Sequence, residues 1–315
     1  MAMNVQGKTA IITGAGSGIN FSFAKLLLSK GCNVVIADLA LRPEAEALLS
    51  QYPSSSSGAT AIFQKTDVTD WAQLDKMFEV TTAHFGGADI VCPGAGVYEP
   101  VRTVPFYTAF TNTHQPWSNF WHPPGTPPSK DNPADSRYAL IDINITHPIR
   151  VTQLAIAHFL SRKKAGCIPH ITSVAGQSPF FPTPVYVASK HALNGFVRSL
   201  APLETPPSPL PKIRVNAVAP ARILTPLWTD NPEKMRMVGK EPGWVTPEAV
   251  AEVMLGLVEK EEWVGGTIME IGKTVREVMA FDDPGPKGGG NNVENDVGYM
   301  DEMWEGLKKQ FDDVS

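Results

Sequence analysis

The sequence predicts a single doubly wound α/β domain, with a parallel sheet of about seven strands and helices on both faces. Three observations predict it. Short β-branched runs alternate with helical patterns along most of the 315 residues. The strand runs are apolar throughout, as strands covered on both faces must be. The first of them passes directly into a glycine-rich turn that opens a helix.

Thr9-Ala10-Ile11-Ile12 reads as the first strand, and Phe23 to Leu28 as a helix ended by Gly31 just past its last turn. Val34 to Ala37 is a second strand, Pro43 to Ser50 a helix opened by proline, and Ala61 to Phe63 a third strand. Asp70 is placed to cap a helix through Phe85, whose apolar face carries Trp71, Leu74, Met77 and Phe78. Asp89 to Cys92 makes a fourth strand. A long helix over about Tyr138 to Arg162, a strand Ile168 to Thr172 and a helix from Val185 follow. The strand Ile213 to Asn216, a helix from Pro247 and a last strand Thr267 to Ile271 complete residues 1–272 as one domain. Residues 98–137, rich in proline and aromatics, form an irregular insertion. Residues 273–315 read as an irregular tail ending in a weak helix around Met303 to Lys309.

Composition narrows the function. A net charge of −5 with no basic block argues against a nucleic-acid partner. No apolar run is long enough to span a bilayer, and the chain enters its first strand with no signal peptide before it, so no membrane partner and a cytoplasmic location are expected. Cys32, Cys92 and Cys167 are scattered, with no Cys-x-x-Cys and no histidine pair nearby. They are expected as small buried apolar residues, not thiol nucleophiles or metal ligands, and no metal site is expected.

The turn Thr13-Gly14-Ala15-Gly16-Ser17-Gly18-Ile19 lets backbone approach a pyrophosphate at the N-terminus of a helix, where N–H groups are free and the dipole is positive. Asp38 closes the second strand, where an acid accepts both hydroxyls of an adenosine ribose and repels a 2′-phosphate; this favours NAD over NADP. Arg42 lies close enough to soften that preference. Asp67-Val68, after the third strand, is positioned for an adenine edge, though a plain loop explains it equally well. Tyr186 and Lys190, four residues apart, share one face of a helix. A free phenol titrates near 10, too high for a base at neutrality, and an adjacent ammonium lowers it. Ser173 ends the preceding strand, within reach of the same substrate oxygen.

On these residues, with Gly94-Ala95-Gly96, Asn144, Asn216 and Pro220, the chain resembles the short-chain dehydrogenase/reductase family over residues 6 to 272. Within it, it resembles the fungal secondary-metabolism dehydrogenases of the 5′-hydroxyaverantin type and, more distantly, the 15-hydroxyprostaglandin type. The resemblance implies a Rossmann fold and hydride transfer between a secondary alcohol and a ketone on a small, apolar, polycyclic or polyketide-like substrate. It implies Tyr186 as general acid/base, Lys190 as the group that lowers its pKa and binds the nicotinamide ribose, and Ser173 as the group that orients the substrate oxygen. Asn144 would hold a water of the proton relay, Thr225 would contact the nicotinamide amide, and Pro220 and Ile223 would join Gly94, Ala95 and Gly96 around the cofactor. A homodimer or homotetramer, formed through the helices carrying Asn144 and Tyr186, is also implied. Three departures stand out: Asn20 replaces the last glycine of the turn, Cys92-Pro93-Gly94-Ala95-Gly96 replaces Asn-Asn-Ala-Gly, and Pro220-Ala221 replaces Pro-Gly.

Trp117, Phe120, Trp121 and His122 in the insertion suit either an aromatic wall over a ring-bearing substrate or a locally packed surface loop. Val101 to Gln115 has codons compatible with intron ends, and its excision joins Glu99-Pro100 to Pro116-Trp117, so a retained intron is a third reading. Leu227 to Val245, with Trp228, Met235, Met237 and Trp244, reads as a loop over an apolar ligand. Three rivals remain. A catalytically idle NAD sensor needs only the glycine turn and Asp38, and an intact Ser173, Tyr186 and Lys190 weighs against it. Asp38 weighs against an NADPH-dependent ketoreductase. A protein-interaction module built on the tail has only composition behind it.

Overall fold

The computed structural model describes residues 2–54, 58–99, 118, 120–126, 129, 131–230, 243–280 and 297–312. Its sheet has eight strands: β1 (Thr9–Thr13), β2 (Asn33–Asp38), β3 (Ala61–Lys65), β4 (Ile90–Cys92), β5 (Gly166–Ile171), β6 (Ile213–Pro220), β7 (Ile268–Ile271) and β8 (Val275–Glu277). They run in the order β3-β2-β1-β4-β5-β6-β7-β8, all parallel except β8 against β7. The order reverses direction between β1 and β4, so a crevice opens at the carboxyl ends of these two strands.

Helices cover both faces because both are apolar. On one, α1 (Gly18–Ser29) packs against the helix Pro247–Glu259, burying Phe23, Leu27, Met254 and Leu257. On the other, Leu74 and Met77 of α3 (Trp71–Phe85) meet Val151, Ala155 and Phe159 over Ile11, Val35 and Val215. Asp70 caps α3 as expected, accepting from Ala72 N at 2.9 Å and Gln73 N at 3.4 Å, and Gly86 ends it at φ 76°. Trp71 is not part of the core face: it is half exposed, and the Arg150 guanidinium lies 4.9 Å from its ring centroid. All three cysteines are buried and free, and burial pushes their thiols up, as inert core residues require.

Between these lie α2 (Pro43–Gln51), α4 (Ala139–Ile141), α5 (His147–Ser161), α6 (Pro184–Ser199) and α7 (Pro226–Thr229); Pro247–Glu259 is α8 and Val297–Asp312 is α9. The helix expected over Tyr138 to Arg162 is interrupted, because residues Asp142–Thr146 form a π-helical turn between α4 and α5. Hydrophobic spacing does not report one extra residue in a turn, so the interruption escapes a periodicity reading.

The tail also differs from expectation. Residues 275–277 add the eighth strand, missed because all three are exposed and so carry no alternation. Arg276 secures it through Glu270 at 2.6 Å, and Arg198 donates to the carbonyls of Val278 and Met279 at 2.9 Å each. The terminal helix is α9, longer than Met303 to Lys309. Its Phe311 is buried with Leu160 and Leu210, while Trp304 and Leu307 pack beside them. At the opposite end of the sheet from the crevice, Arg214 on β6 is fully buried. Its guanidinium donates twice to Glu204 Oε1, at 2.7 and 3.0 Å, and to the Lys260 carbonyl at 2.7 Å.

The segment 101–115 and Trp117 lie outside the described residues. Its flanks close on each other, since Phe120 N donates to Glu99 at 2.8 Å. Ser118 is buried, donates to Asp131 at 2.7 Å and accepts from Leu140 N, while Asp131 also accepts from Ala139 N; the returning chain thereby holds the start of α4.

Candidate active site

A cavity of about 1030 Å³ runs along the crevice from Asp38, Asp67 and Val68, past Gly14, Ser17, Gly18 and Ile19, to Ser173, Tyr186 and Lys190. Gly94, Ala95, Gly96, Pro220, Ile223 and Thr225 line it too. Two expected site residues, Gly16 and Asn144, stand behind its wall.

The glycine turn is built for close approach. Gly14 has φ 73°, and a Cβ there would lie 2.8 Å from Ala95 Cα; a Cβ on Gly16 would lie 2.4 Å from Ala40 O and 2.8 Å from Asp38 Oδ2. Gly16 N donates to Asp38 at 2.8 Å, so that glycine fixes the acid rather than facing the cavity. Ser17 caps α1 in extended backbone and makes no side-chain cap bond, leaving its hydroxyl and the first-turn N–H groups for an anion. A Cβ on Gly18 would lie 3.5 Å from Thr225 Cγ2, which brings the end of β6 over the same turn. Asp38 also accepts from Leu39 N at 2.7 Å, and burial pushes its carboxyl up against the pull of these N–H bonds. Arg42 is paired with Asp230. These features fit a dinucleotide: a cradle no side chain could share, a helix N-terminus and a carboxylate acceptor beside the turn.

The departures at Asn20 and Gly94 are complementary. The Asn20 amide occupies the space that a side chain at position 94 would take; a Cβ on Gly94 would lie 2.3 Å from Asn20 Oδ1. The brace between β1 and β4 is supplied by a chain the sequence did not flag. Ala95 N donates to Thr13 Oγ1 at 3.1 Å, Thr13 Oγ1 meets His147 Nε2 at 3.0 Å, and His147 Nδ1 lies 3.0 Å from the Ile143 carbonyl. The carbonyl only accepts, so Nδ1 carries the proton and Nε2 accepts from Thr13. His147 and His170 are both fully buried, and burial lowers them to about 4 and about 3. Unfolded, they titrate near 6.5, so between the two values the unfolded chain binds more protons and acid favours unfolding. The urea midpoint is therefore expected to fall as pH drops from 6.5 toward 4, on the order of 3 kcal/mol for complete protonation of His147. A flat profile over that window would contradict this.

At the other end, the Ser173 hydroxyl accepts from Ala175 N at 3.2 Å and donates to the Pro220 carbonyl at 3.4 Å, beside the Tyr186 phenol in the cavity wall. Lys190 is buried and donates to the Ile171 carbonyl at 3.0 Å, with its Nζ 5.6 Å from the Tyr186 ring centroid. Burial pushes the phenol up to about 12 and the ammonium down to about 8. Ser173 pulls the phenol down, and burial outweighs that pull. Asn144 does not reach the cavity. Its amide grips both backbone groups of Val97, at 2.9 Å each, and also reaches Ser189 at 3.3 Å.

Of the residues expected around an apolar ligand, Trp228 lines the cavity, while Trp117, Met235 and Met237 lie outside the described residues. Phe120 and Trp121 are exposed and meet edge-on at 5.0 Å, and Trp121 lies 4.7 Å from Phe181; these three rings pack on one another as a surface group and do not line the cavity. The cavity's aromatic lining comes from Tyr98, Phe180 and Trp228, beside Tyr186 itself. Tyr98 sets its ring edge-on to Tyr186 at 4.7 Å and lies 5.8 Å from Trp228, which meets Trp244 at 5.5 Å. Tyr98 and Glu99 were missed by sequence reasoning, since the proline-rich run around them has no period to place them.

A family model described as short chain dehydrogenase matches residues 8–236. The chain belongs to the short chain dehydrogenase family. Among its relatives, a 15-hydroxyprostaglandin dehydrogenase [NAD(+)] of Rattus norvegicus is 27% identical over 300 residues, spanning 89% of this chain and 96% of that protein. A D-beta-hydroxybutyrate dehydrogenase of Cupriavidus necator is 28% identical over 71% of this chain and 73% of its own. The short-chain dehydrogenase/reductase prx4 of Penicillium roqueforti is 30% identical over 71% of this chain and 56% of its own. A solved 3-ketoacyl-(acyl-carrier-protein) reductase from Brucella melitensis, complexed with NADH, shares the fold with TM-score 0.64 at 24% identity, covering 85% of this chain and 98% of that one. This short chain dehydrogenase is thus an oxidoreductase of a nucleotide-cofactor family. Among its described residues no helix is long and apolar enough to cross a membrane, and no His, Cys, Asp or Glu cluster is arranged to hold a metal.

Proposed function

We propose that this dehydrogenase is an NAD-dependent enzyme that interconverts a secondary alcohol and a ketone on a small, apolar, ring-bearing or polyketide-like molecule. One observation carries the reading: Ser173, Tyr186 and Lys190 converge at one end of a cavity whose other end is the glycine turn and Asp38. Gly14, Ser17, Gly18 and Ile19 would hold the pyrophosphate, Asp38 the adenosine ribose, Asp67 and Val68 the adenine edge. Gly94, Ala95, Gly96, Lys190, Pro220, Ile223 and Thr225 would line the nicotinamide half, with Gly16 fixing Asp38. When bound, NAD accepts or returns the hydride, and its positive ring favours the phenolate. Tyr186 takes the alcohol proton or returns it to the ketone oxygen, Ser173 orients that oxygen, and Lys190 steadies the charge. Asn144 supports the relay from behind by holding Val97. The names of two relatives, an NAD(+)-linked hydroxyprostaglandin dehydrogenase and a hydroxybutyrate dehydrogenase, support hydroxyl oxidation. Tyr98, Phe180 and Trp228 support an apolar, ring-bearing substrate. A cytoplasmic homodimer or homotetramer completes the proposal.

The test is NADH-linked turnover by purified protein on a panel of apolar secondary alcohols and ketones, wild type beside Tyr186→Phe. Turnover lost in the variant supports the reading; turnover retained would sink it. Cofactor choice is tested separately with Asp38→Asn, which keeps an acceptor for Gly16 N but loses the charge. Affinity for NAD is expected to fall about tenfold, as for a lost charge-assisted bond, while NADP binding improves. Unchanged discrimination in fluorescence titrations would remove Asp38 from the ribose site.

A further inference from the structure

The short stretch Val97 to Glu99, just after β4, ties together the two helical segments that carry Asn144 and Tyr186. Asn144 takes both backbone groups of Val97. Two residues on, the Glu99 side chain is fully buried. One of its oxygens accepts from Val185 N at 2.9 Å and Tyr186 N at 3.0 Å; the other accepts from Phe120 N at 2.8 Å. α6 opens with Pro184, which has no N–H, and its preceding residue Thr183 makes no side-chain cap bond. The first two free donors of the helix are therefore satisfied by an acid from far along the chain. A carboxylate suits that place, where the helix dipole is positive and orphan N–H groups need an acceptor.

The location matters more than the capping energy. Tyr186 is the third residue of α6, in the turn that frays first in any helix, and its own backbone N–H is one of the two that Glu99 holds. Between the two anchors, the Tyr98 ring lies edge-on against the Tyr186 ring.

We propose that Glu99 is a positioning residue for catalysis: it fixes the first turn of α6, and with it the Tyr186 phenol, against the chain that carries Tyr98 and the returning arm of the insertion. This rests on Tyr186 being the acid/base, and the test separates the two claims. Full-length Glu99→Ala, Glu99→Gln and Tyr186→Phe are compared with wild type for kcat and KM on a turned-over alcohol, for NAD affinity and for Tm. Glu99→Ala is expected to lower kcat ten- to about a hundredfold with NAD affinity unchanged, the loss that a small misplacement of a reacting group produces. Glu99→Gln has one acceptor oxygen for three donors, so it recovers part of that kcat. It also keeps the test alive if the alanine variant does not fold. Wild-type kcat in Glu99→Gln or Glu99→Ala, or a fall in NAD affinity equal to the fall in kcat, overturns the proposal. Turnover retained in Tyr186→Phe would instead overturn the acid/base assignment beneath it.

Discussion

Tyr186→Phe is expected to lower kcat about a thousandfold while NAD affinity and Tm stay near those of the wild type. The substitution removes one oxygen and leaves a ring that keeps its contact with Tyr98. What is lost is the hydroxyl that carries the proton. The pH dependence has a definite sign. Burial raises the phenol, so it is protonated over a wider range than a free tyrosine. Ketone reduction, which spends that proton, is then favoured at neutral pH, and alcohol oxidation gains as pH rises. Stopped-time assays in both directions across pH check this; an oxidation rate that falls with rising pH through the neutral range would contradict it.

The second large effect is on stability. Glu204→Ala is expected to destabilise the fold by about 3–5 kcal/mol, because it leaves the Arg214 guanidinium buried without its counter-charge. Arg214 is wholly enclosed and Glu204 nearly so, and the second carboxylate oxygen holds Gly265 N. The pair sits near the start of β6, while the site lies past the other end of that strand at Pro220. The variant should therefore lose urea resistance yet keep the kcat of its folded fraction. Replacing both charges, as Glu204→Leu with Arg214→Met, is expected to restore much of the loss, since no charge is then left in the interior. A single variant as stable as the wild type would show that water reaches the guanidinium.

Much of this was legible from residues alone. The seven parallel strands showed as continuous apolar runs, and Gly14, Gly18, Asp38, Ser173, Tyr186 and Lys190 each lie beside the cavity they were expected to serve. What escaped had weak local signals. β8 is too short and too exposed to alternate. Glu99 is an acid among prolines and aromatics, and only the fold brings it to a helix 86 residues on. His147 resembles any helix-start histidine until Thr13 is seen against it. Asn20 and Gly94 looked like two separate losses and proved to be one exchange of volume, which requires both positions to be seen in contact.

The π-helical turn at Asp142–Thr146 limits how this chain can change over evolutionary time. An α-helix advances 100° per residue, so the extra residue in that turn offsets the side-chain phase of everything before it from everything after. Upstream, Ala139 and Leu140 depend on that phase to meet Asp131 and Ser118; downstream, His147, Val151 and Thr152 depend on it to face the interior. Deleting one residue would heal the hydrogen-bond ladder and rotate one half by more than a quarter turn relative to the other. Point substitutions are open to this segment, but changes of length are not, unless two partners on separate elements change with it.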